Sequence, residues 1–274
     1  MKQGKGVLVD LTRCIGCGSC TVACKMWNKL EFQDEYPATG ENTKLKDQNW
    51  TVLETRRAEK DGAPIWRYIK RQCMHCLDPA CASVCFSQAI KRRSDGAVIY
   101  YPDLCVGCRY CMVACPFDVA KYEWESPFPA VMKCQFCSSR LEHNEAPACV
   151  SVCPTNVMEF GNRETLLAKA KERIVAEPNK YVHHIYGAEE VGGTSWMYLS
   201  DVPFEELGFK SHLTSTSATH YSNSWMKKVP YIAITWAAVA TAISVYTKRR
   251  AQNEKKKRQE ELTAKSDKAG EQND

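Results

Sequence analysis

The chain lacks the usual signatures of catalysis. No GxGxxG and no phosphate loop occur in its 274 residues, so a nucleotide-binding fold has no support. No Ser, His and Asp set suggests itself, and the six His are scattered. The net charge is only +5, and no basic stripe is interleaved with aromatics, which excludes a nucleic-acid partner. The opening MKQGKGVLVD has no apolar signal-peptide core. The cysteines lack a straggler: none of the sixteen stands alone.

Those sixteen fall into four groups of four: Cys14, Cys17, Cys20 and Cys24; Cys73, Cys76, Cys81 and Cys85; Cys105, Cys108, Cys111 and Cys115; Cys134, Cys137, Cys149 and Cys153. Disulfides, zinc and iron–sulfur clusters compete for them. Thiols two residues apart in a tight loop pair poorly with each other, and the chain is long enough to bury a core without staples. Zinc ribbons use two separated Cys-x2-Cys pairs, not three thiols at i, i+3 and i+6 followed by a fourth. Cys-x2-Cys-x2-Cys-x3-Cys-Pro is the bacterial ferredoxin run, in which three thiolates hold one cubane and the fourth reaches a neighbouring one.

The first and third groups carry that spacing in full, and the second and fourth stretch one gap. Four thiolates per cubane imply four 4Fe-4S clusters. Pro116 and Pro154 follow Cys115 and Cys153, whereas Lys25 and Phe86 follow Cys24 and Cys85. Loss of the proline is expected to alter local packing and not occupancy.

Residues 229–247, VPYIAITWAAVATAISVYT, carry no charge. A helix of that length spans roughly 28 Å, about the hydrocarbon thickness of a bilayer. Lys227, Lys228, Lys248, Arg249 and Arg250 flank it, and Trp225, Tyr231 and Tyr246 stand at interfacial positions. The reading is one transmembrane helix. The twenty residues before it hold three Lys or Arg and the twenty after it hold eight. The positive-inside rule then puts the tail in the cytoplasm and the cluster domain in the periplasm of a bacterial inner membrane. Without a visible leader, the expected export route is in company with a partner that carries a twin-arginine signal. The span holds no His, so it offers no imidazole to a haem.

Short apolar, strand-like runs precede the first three groups (GVLVDLTR, IWRYIKRQ, AVIYYPDL), and VMEFGN follows the fourth. The expected class is α+β: two ferredoxin-like modules, each with two 4Fe-4S clusters that supply much of the core, plus the C-terminal transmembrane helix. Residues 1–162 form the polyferredoxin domain, with an insertion at 25–72 in which WTVLETRR alternates like a strand. In 163–228, residues 163–176 have helical spacing, and 177–228 has little periodicity and is expected to lie along another subunit. The span follows, then a charged tail at 248–274. His75 is expected to hydrogen-bond, His183 and His184 to sit at the surface, and Lys91, Arg92 and Arg93 to form a solvated charge run.

The four groups, together with GCRYCMVACPF, KRQCMHCLDPAC, EAPACVSVCPTNVMEFG and YGAEEVGGTSWMYLSDVPFEELGF, resemble the four-cluster iron–sulfur subunit of membrane-bound respiratory oxidoreductases. Formate dehydrogenase-N beta subunits and HybA-type hydrogenase subunits are the members it resembles. The resemblance covers residues 6–250. It implies a non-catalytic electron-transfer arm between a catalytic subunit and an integral membrane cytochrome b or NrfD-type subunit. The catalytic partner would be a molybdenum or tungsten formate dehydrogenase or a nickel–iron hydrogenase. It also implies nested ligand sets: Cys14, Cys17, Cys20 and Cys153; Cys134, Cys137, Cys149 and Cys24; Cys73, Cys76, Cys81 and Cys115; Cys105, Cys108, Cys111 and Cys85. The absent leader favours the formate dehydrogenase type, while GCRYCMVACPF and KYEWESPF favour the hydrogenase type.

Two rivals stand beside this reading. One is the electron-input arm of a polysulfide, dimethyl sulfoxide or nitrite reductase; many such arms lack a C-terminal span. The other is a freestanding polyferredoxin, which would purify alone and soluble.

Overall fold

The computed structural model describes residues 4–127 and 129–270, with side chains up to residue 260. Met1–Gln3 of the N-terminus, Phe128 of KYEWESPF and the last four tail residues lie outside the described residues. The chain divides into two compact units, Met1–His220 and Tyr221–Asp274.

The first unit opens with β1 (Lys5–Asp10) and a 3-10 turn, then α1 (Ser19–Asn28), β2 (Thr39–Gly40), β3 (Val52–Lys60) and β4 (Ala63–Arg71). Next come α2 (Ala80–Ser83), β5 (Ile90–Arg92), β6 (Val98–Tyr100), α3 (Tyr110–Val113), β7 (Lys121–Tyr122) and β8 (Val131–Met132). The series continues with α4 (Ser138–Glu142), α5 (Ala148–Ser151), β9 (Met158–Asn162), α6 (Arg163–Ala176) and β10 (Trp196–Leu199). Two helices close the chain, α7 (Ala218–Met226) and α8 (Val229–Gly270).

The expected strands before the first three groups are β1, β4 and β6, and the expected strand after the fourth is β9. The helix at 163–176 is α6, whose first turn is capped by the Asn162 side chain accepting from the Glu164 and Thr165 amides. In the insertion, β3 and β4 pair antiparallel through Asp61 and Gly62, both with positive φ, as a two-residue Asp-Gly hairpin requires.

β1 lies between β9, antiparallel, and β10, parallel. Alternation along β1 sends Val7 and Val9 to the face shared with Trp196, Tyr198 and Phe136. Leu8 goes to the other face, with Met197, Leu199 and the α6 residues Leu166 and Ala170. An apolar core of ordinary kind therefore stands beside the cluster sites and carries more of the fold than the sequence suggests.

The segment expected to lie along another subunit packs differently. Residues 196–199 are at most 1% exposed, and Val202, Phe204, Leu207 and Phe209 are buried with them. The reason is that β10 covers the open edge of β1, so its apolar residues find partners within the chain. The compact unit thus runs past the expected border at residue 162, on to His220.

Asp201 ties this segment to the insertion hairpin. Its carboxylate accepts from Arg67 Nε at 2.8 Å and from Lys60 Nζ at 3.1 Å. Burial alone would raise its pKa, but the Arg67 and Lys60 hydrogen bonds outweigh that and hold it below the ordinary 3.8. The pairing therefore stabilises the fold above pH 3.8, and its contribution is lost as pH falls through the depressed value. Asp201→Asn is expected to cost about 2 kcal/mol near neutral pH. It should also flatten the acid limb of a denaturation series. An unchanged midpoint at pH 7 would refute the role.

The second unit is a helix with an 18-residue window of mean hydropathy 1.5, long and apolar enough to span a membrane. Thr235, Thr241 and Thr247 hydroxyls donate to carbonyls one turn back, at Tyr231, Ala237 and Ile243, which satisfies them inside the helix as a lipid setting demands. Beyond it, α8 continues as an exposed charged helix with an Arg250–Glu254 pair.

Candidate iron–sulfur cluster sites

Each cysteine group sits on a loop that leaves a strand or a 3-10 turn and enters a short helix. Cys20 and Cys24 ride on α1, Cys81 on α2, Cys111 on α3 and Cys149 on α5. The residue before the second thiol has positive φ in all four loops: Gly16 (+74°), His75 (+48°), Gly107 (+71°) and Phe136 (+58°). That left-handed step wraps the loop so that its thiols converge. At position 16 only glycine fits, because a Cβ there would stand 2.5 Å from the Tyr68 ring. Where no proline follows Cys24, α1 runs on to Asn28; after Cys85, Cys115 and Cys153 the chain turns, with positive φ at Gln88, Asp118 and Asn156.

The fourth thiol of each group leaves its own loop. Cys14 lies within electrostatic reach of Cys17 and Cys153. Cys137 is likewise near Cys149 and Cys24. Cys76 neighbours Cys73, Cys81 and Cys115, and Cys111 neighbours Cys105, Cys108 and Cys85. One recess is lined by Cys14, Cys17, Cys20 and Cys153 among apolar side chains. Another is lined by Cys73, Cys76, Cys81 and Cys115. The matching donor sets suit one kind of guest. Among the described residues no group of His, Cys, Asp or Glu is arranged around a single metal ion. Four thiols round a cavity suit a cubane, which takes one at each iron.

The sets also follow one another. Cys20 of the first set neighbours Cys149 of the second, Cys134 of the second neighbours Cys73 of the third, and Cys81 of the third neighbours Cys111 of the fourth. The middle is buried and the ends surface: Cys73 and Cys134 are buried, while Cys17 and Cys108 are exposed.

Burial pushes most of these thiols up: Cys20 and Cys81 to about 12, Cys111 and Cys137 to about 11, with Cys134 and Cys76 well above the ordinary value. Cys17, by contrast, is lowered by the Ser19 hydroxyl. Bare thiols in these surroundings stay protonated, so ionising them needs a cationic guest in the cavity, which iron supplies.

His75 takes the hydrogen-bonding role expected of it. It is fully buried, stacks on Phe136 at 4.7 Å, and its Nδ1 accepts from the Val98 amide at 2.9 Å. Burial first, then the charges of Lys133, Lys70 and Arg92, drive its pKa well down. The imidazole is neutral, so the proton sits on Nε2, which points at Cys134 Sγ 3.5 Å away. His75 belongs to the second cysteine group and so reaches a thiol of the fourth.

His184 pairs with Glu190 and His183 meets the Pro178 carbonyl, both away from the thiols. Arg93 is neutralised by Asp95 and Glu142. The cations near the thiols are others, Lys70 and Lys133, which sequence reasoning missed. Burial pulls the Lys70 ammonium down, but Cys149, Cys20 and Cys134, once ionised, outweigh this and raise it above its ordinary value. The available signal was a lysine inside an apolar run just ahead of a cysteine pair, in IWRYIKRQC and VMKC.

Two 4Fe-4S dicluster domain models match the chain, at residues 13–89 and 64–163. A protein of Nitratidesulfovibrio vulgaris is 41% identical over 254 residues, covering 91% of this chain and 68% of that protein. The hydrogenase-2 operon protein HybA of Escherichia coli O157:H7 is 37% identical over 237 residues, 74% of this chain and 71% of HybA. The iron–sulfur subunit of the nitrate-inducible formate dehydrogenase of Escherichia coli K12 is 35% identical over 199 residues, 70% and 66% of the two chains. The chain belongs to this family of 4Fe-4S iron–sulfur subunits. Two dicluster domains and sixteen cysteines fit four 4Fe-4S clusters. The matched spans run along the sequence, whereas the thiol neighbours cross it, first group with fourth and second with third.

Proposed function

We propose that the chain is a non-catalytic electron wire, with the four thiol sets named above as the ligand sets of four 4Fe-4S clusters. One-electron transfer is the chemistry that such groups supply when bound. The protein's own residues hold them in one file, keep water from the middle pair and bring one thiol to the surface at each end, Cys17 and Cys108. That linear order with exposed ends is the observation that carries the reading. A freestanding carrier needs one exposed group, not a file of four.

A catalytic subunit docks at one end and a membrane quinone-reactive subunit, a cytochrome b or NrfD-type protein, at the other. The names of the relatives point to a formate dehydrogenase or a hydrogenase as the catalytic partner, the latter read here as the nickel–iron kind. The apolar helix anchors the chain in a bacterial inner membrane. The excess of Lys and Arg after residue 247 supports a cytoplasmic tail and a periplasmic cluster unit.

Gentle solubilisation of membranes and capture of this chain tests the reading. Copurification of a molybdenum or tungsten subunit, or of a nickel–iron pair, together with an integral membrane protein, is the expected outcome. Recovery of the chain alone in the soluble fraction would sink both the anchor and the wire.

A further inference from the structure

Lys70 and Lys133 are 3% and 2% exposed, so neither ammonium reaches water. Lys70 Nζ donates to Gln72 Oε1 at 2.8 Å and stands 4.3 Å from the centroid of the Trp196 ring. Lys133 Nζ donates to the Val98 carbonyl at 2.5 Å and the Cys134 carbonyl at 3.1 Å. Among the described residues neither lysine is in an ion pair with a carboxylate, although ion pairs are frequent elsewhere on the chain. A buried ammonium held only by neutral acceptors is costly and persists where something else supplies the negative charge.

The cavities supply it. Lys70 lines the cavity of the first thiol set, and Lys133 lines that of the third. Lys70 is also within electrostatic reach of Cys24, Cys134 and Cys137 of the second set. Lys133 acts on Cys73 and Cys81 of the third. A cubane on four thiolates is doubly negative when oxidised and triply negative when reduced, so a fixed cation beside it favours the reduced form and raises its potential.

We propose that Lys70 and Lys133 are internal counter-cations that set potentials along the wire, Lys70 for the clusters at the first and second thiol sets and Lys133 for the cluster at the third. This rests on the reading of the four sets as cluster ligands. The two lysines are positioning residues, since they bind no iron. Their effect divides the wire into separately tuned stretches: removing one cation should disturb the clusters beside it and leave the others alone. That separation distinguishes a charge role from a general loosening of the fold, which would broaden or lose signals throughout.

The test is an anaerobic potentiometric titration of the purified complex, followed by electron paramagnetic resonance. Wild type is compared with Lys70→Met, Lys133→Met and Lys70→Arg, and the transition altered by Cys17→Ser marks the first set. Lys70→Met should lower the reduced-to-oxidised ratio at fixed potential by at least about tenfold, equivalent to about 59 mV for one electron, in the marked transition and one other. Lys133→Met should move a third transition and leave those two in place. Lys70→Arg, which keeps the charge, should keep the wild-type potentials.

Unchanged potentials in Lys70→Met with all iron retained would overturn the proposal, and so would both Met variants moving the same transitions. If Lys70→Met loses iron, retention in Lys70→Arg supports the counter-charge; loss there too means shape is what matters, and the proposal fails. A wild-type chain with fewer than four cubanes refutes the ligand reading itself, a result separate from unmoved potentials in a fully loaded protein.

Discussion

Stripping iron from the chain with a chelator, under anaerobic reducing conditions, will unfold the unit that ends at His220 and leave the C-terminal helix intact. Apart from α1, the helices that carry or adjoin the thiols are four or five residues long, too short to persist alone in water. Paired strands away from β1 and the β3–β4 hairpin are only two or three residues long. Such pieces hold their places because the thiols they carry share a guest, so metal-binding free energy is here folding free energy. Circular dichroism should lose the strand and short-helix signal cooperatively while a helical residue from Val229–Gly270 persists. Limited proteolysis should then cut throughout the first unit. A chelated chain with an unchanged near-ultraviolet spectrum and protease pattern would show that the apolar core suffices.

Gly187→Ala is expected to be nearly as damaging without touching a thiol. Gly187 has φ of +91°, and a Cβ there would stand 2.2 Å from the Trp196 carbonyl oxygen and 2.6 Å from Thr194 Oγ1. Neither neighbour can yield. The Gly187 carbonyl accepts from the Thr194 amide at 2.8 Å, and the Thr194 hydroxyl donates to Trp196 O at 2.6 Å. The strained backbone and the overpacking together cost about 3–5 kcal/mol, a large share of a typical domain's stability. The damage should show as loss of β10 from β1, read as rapid amide exchange at Val7 and Val9 while iron content is still measurable. Wild-type exchange there would mean that the loop relaxes freely. Because β10 lies in the stretch expected to lie along another subunit, the variant also tests whether that stretch serves the chain's own fold.

The cysteine spacing made the clusters legible, since a ferredoxin loop is a local object and its thiols are close in sequence. The strands β1, β4, β6 and β9 and the helix α6 were legible for the same reason: their apolar periodicity is local. β10 was not. WMYL does not alternate, because one face meets Phe136 and the core beneath while the other meets α6, and its partner strand lies almost the whole domain earlier. Lys70 and Lys133 were illegible because a lysine normally marks a solvent face, and the acceptors that receive these two, Gln72 and the Val98 and Cys134 carbonyls, leave no mark in the local pattern. Spacing showed only that the fourth thiol leaves its loop. Which set it joins is long-range information that the resemblance supplied.

β1 has a consequence for the order of events during synthesis. It is the N-terminal strand, yet its partners are β9 and β10, so it waits on the ribosome-bound chain until Leu199 has emerged. The stretch between Cys73 and Cys115 has no such wait and can close on itself first. Manufacture therefore runs from the inside outwards: the central loops gather early, while Cys14 and its neighbours stay open, with Val7, Leu8 and Val9 uncovered, until the chain returns. A nascent polypeptide in that state is exposed to aggregation and to premature oxidation of its thiols.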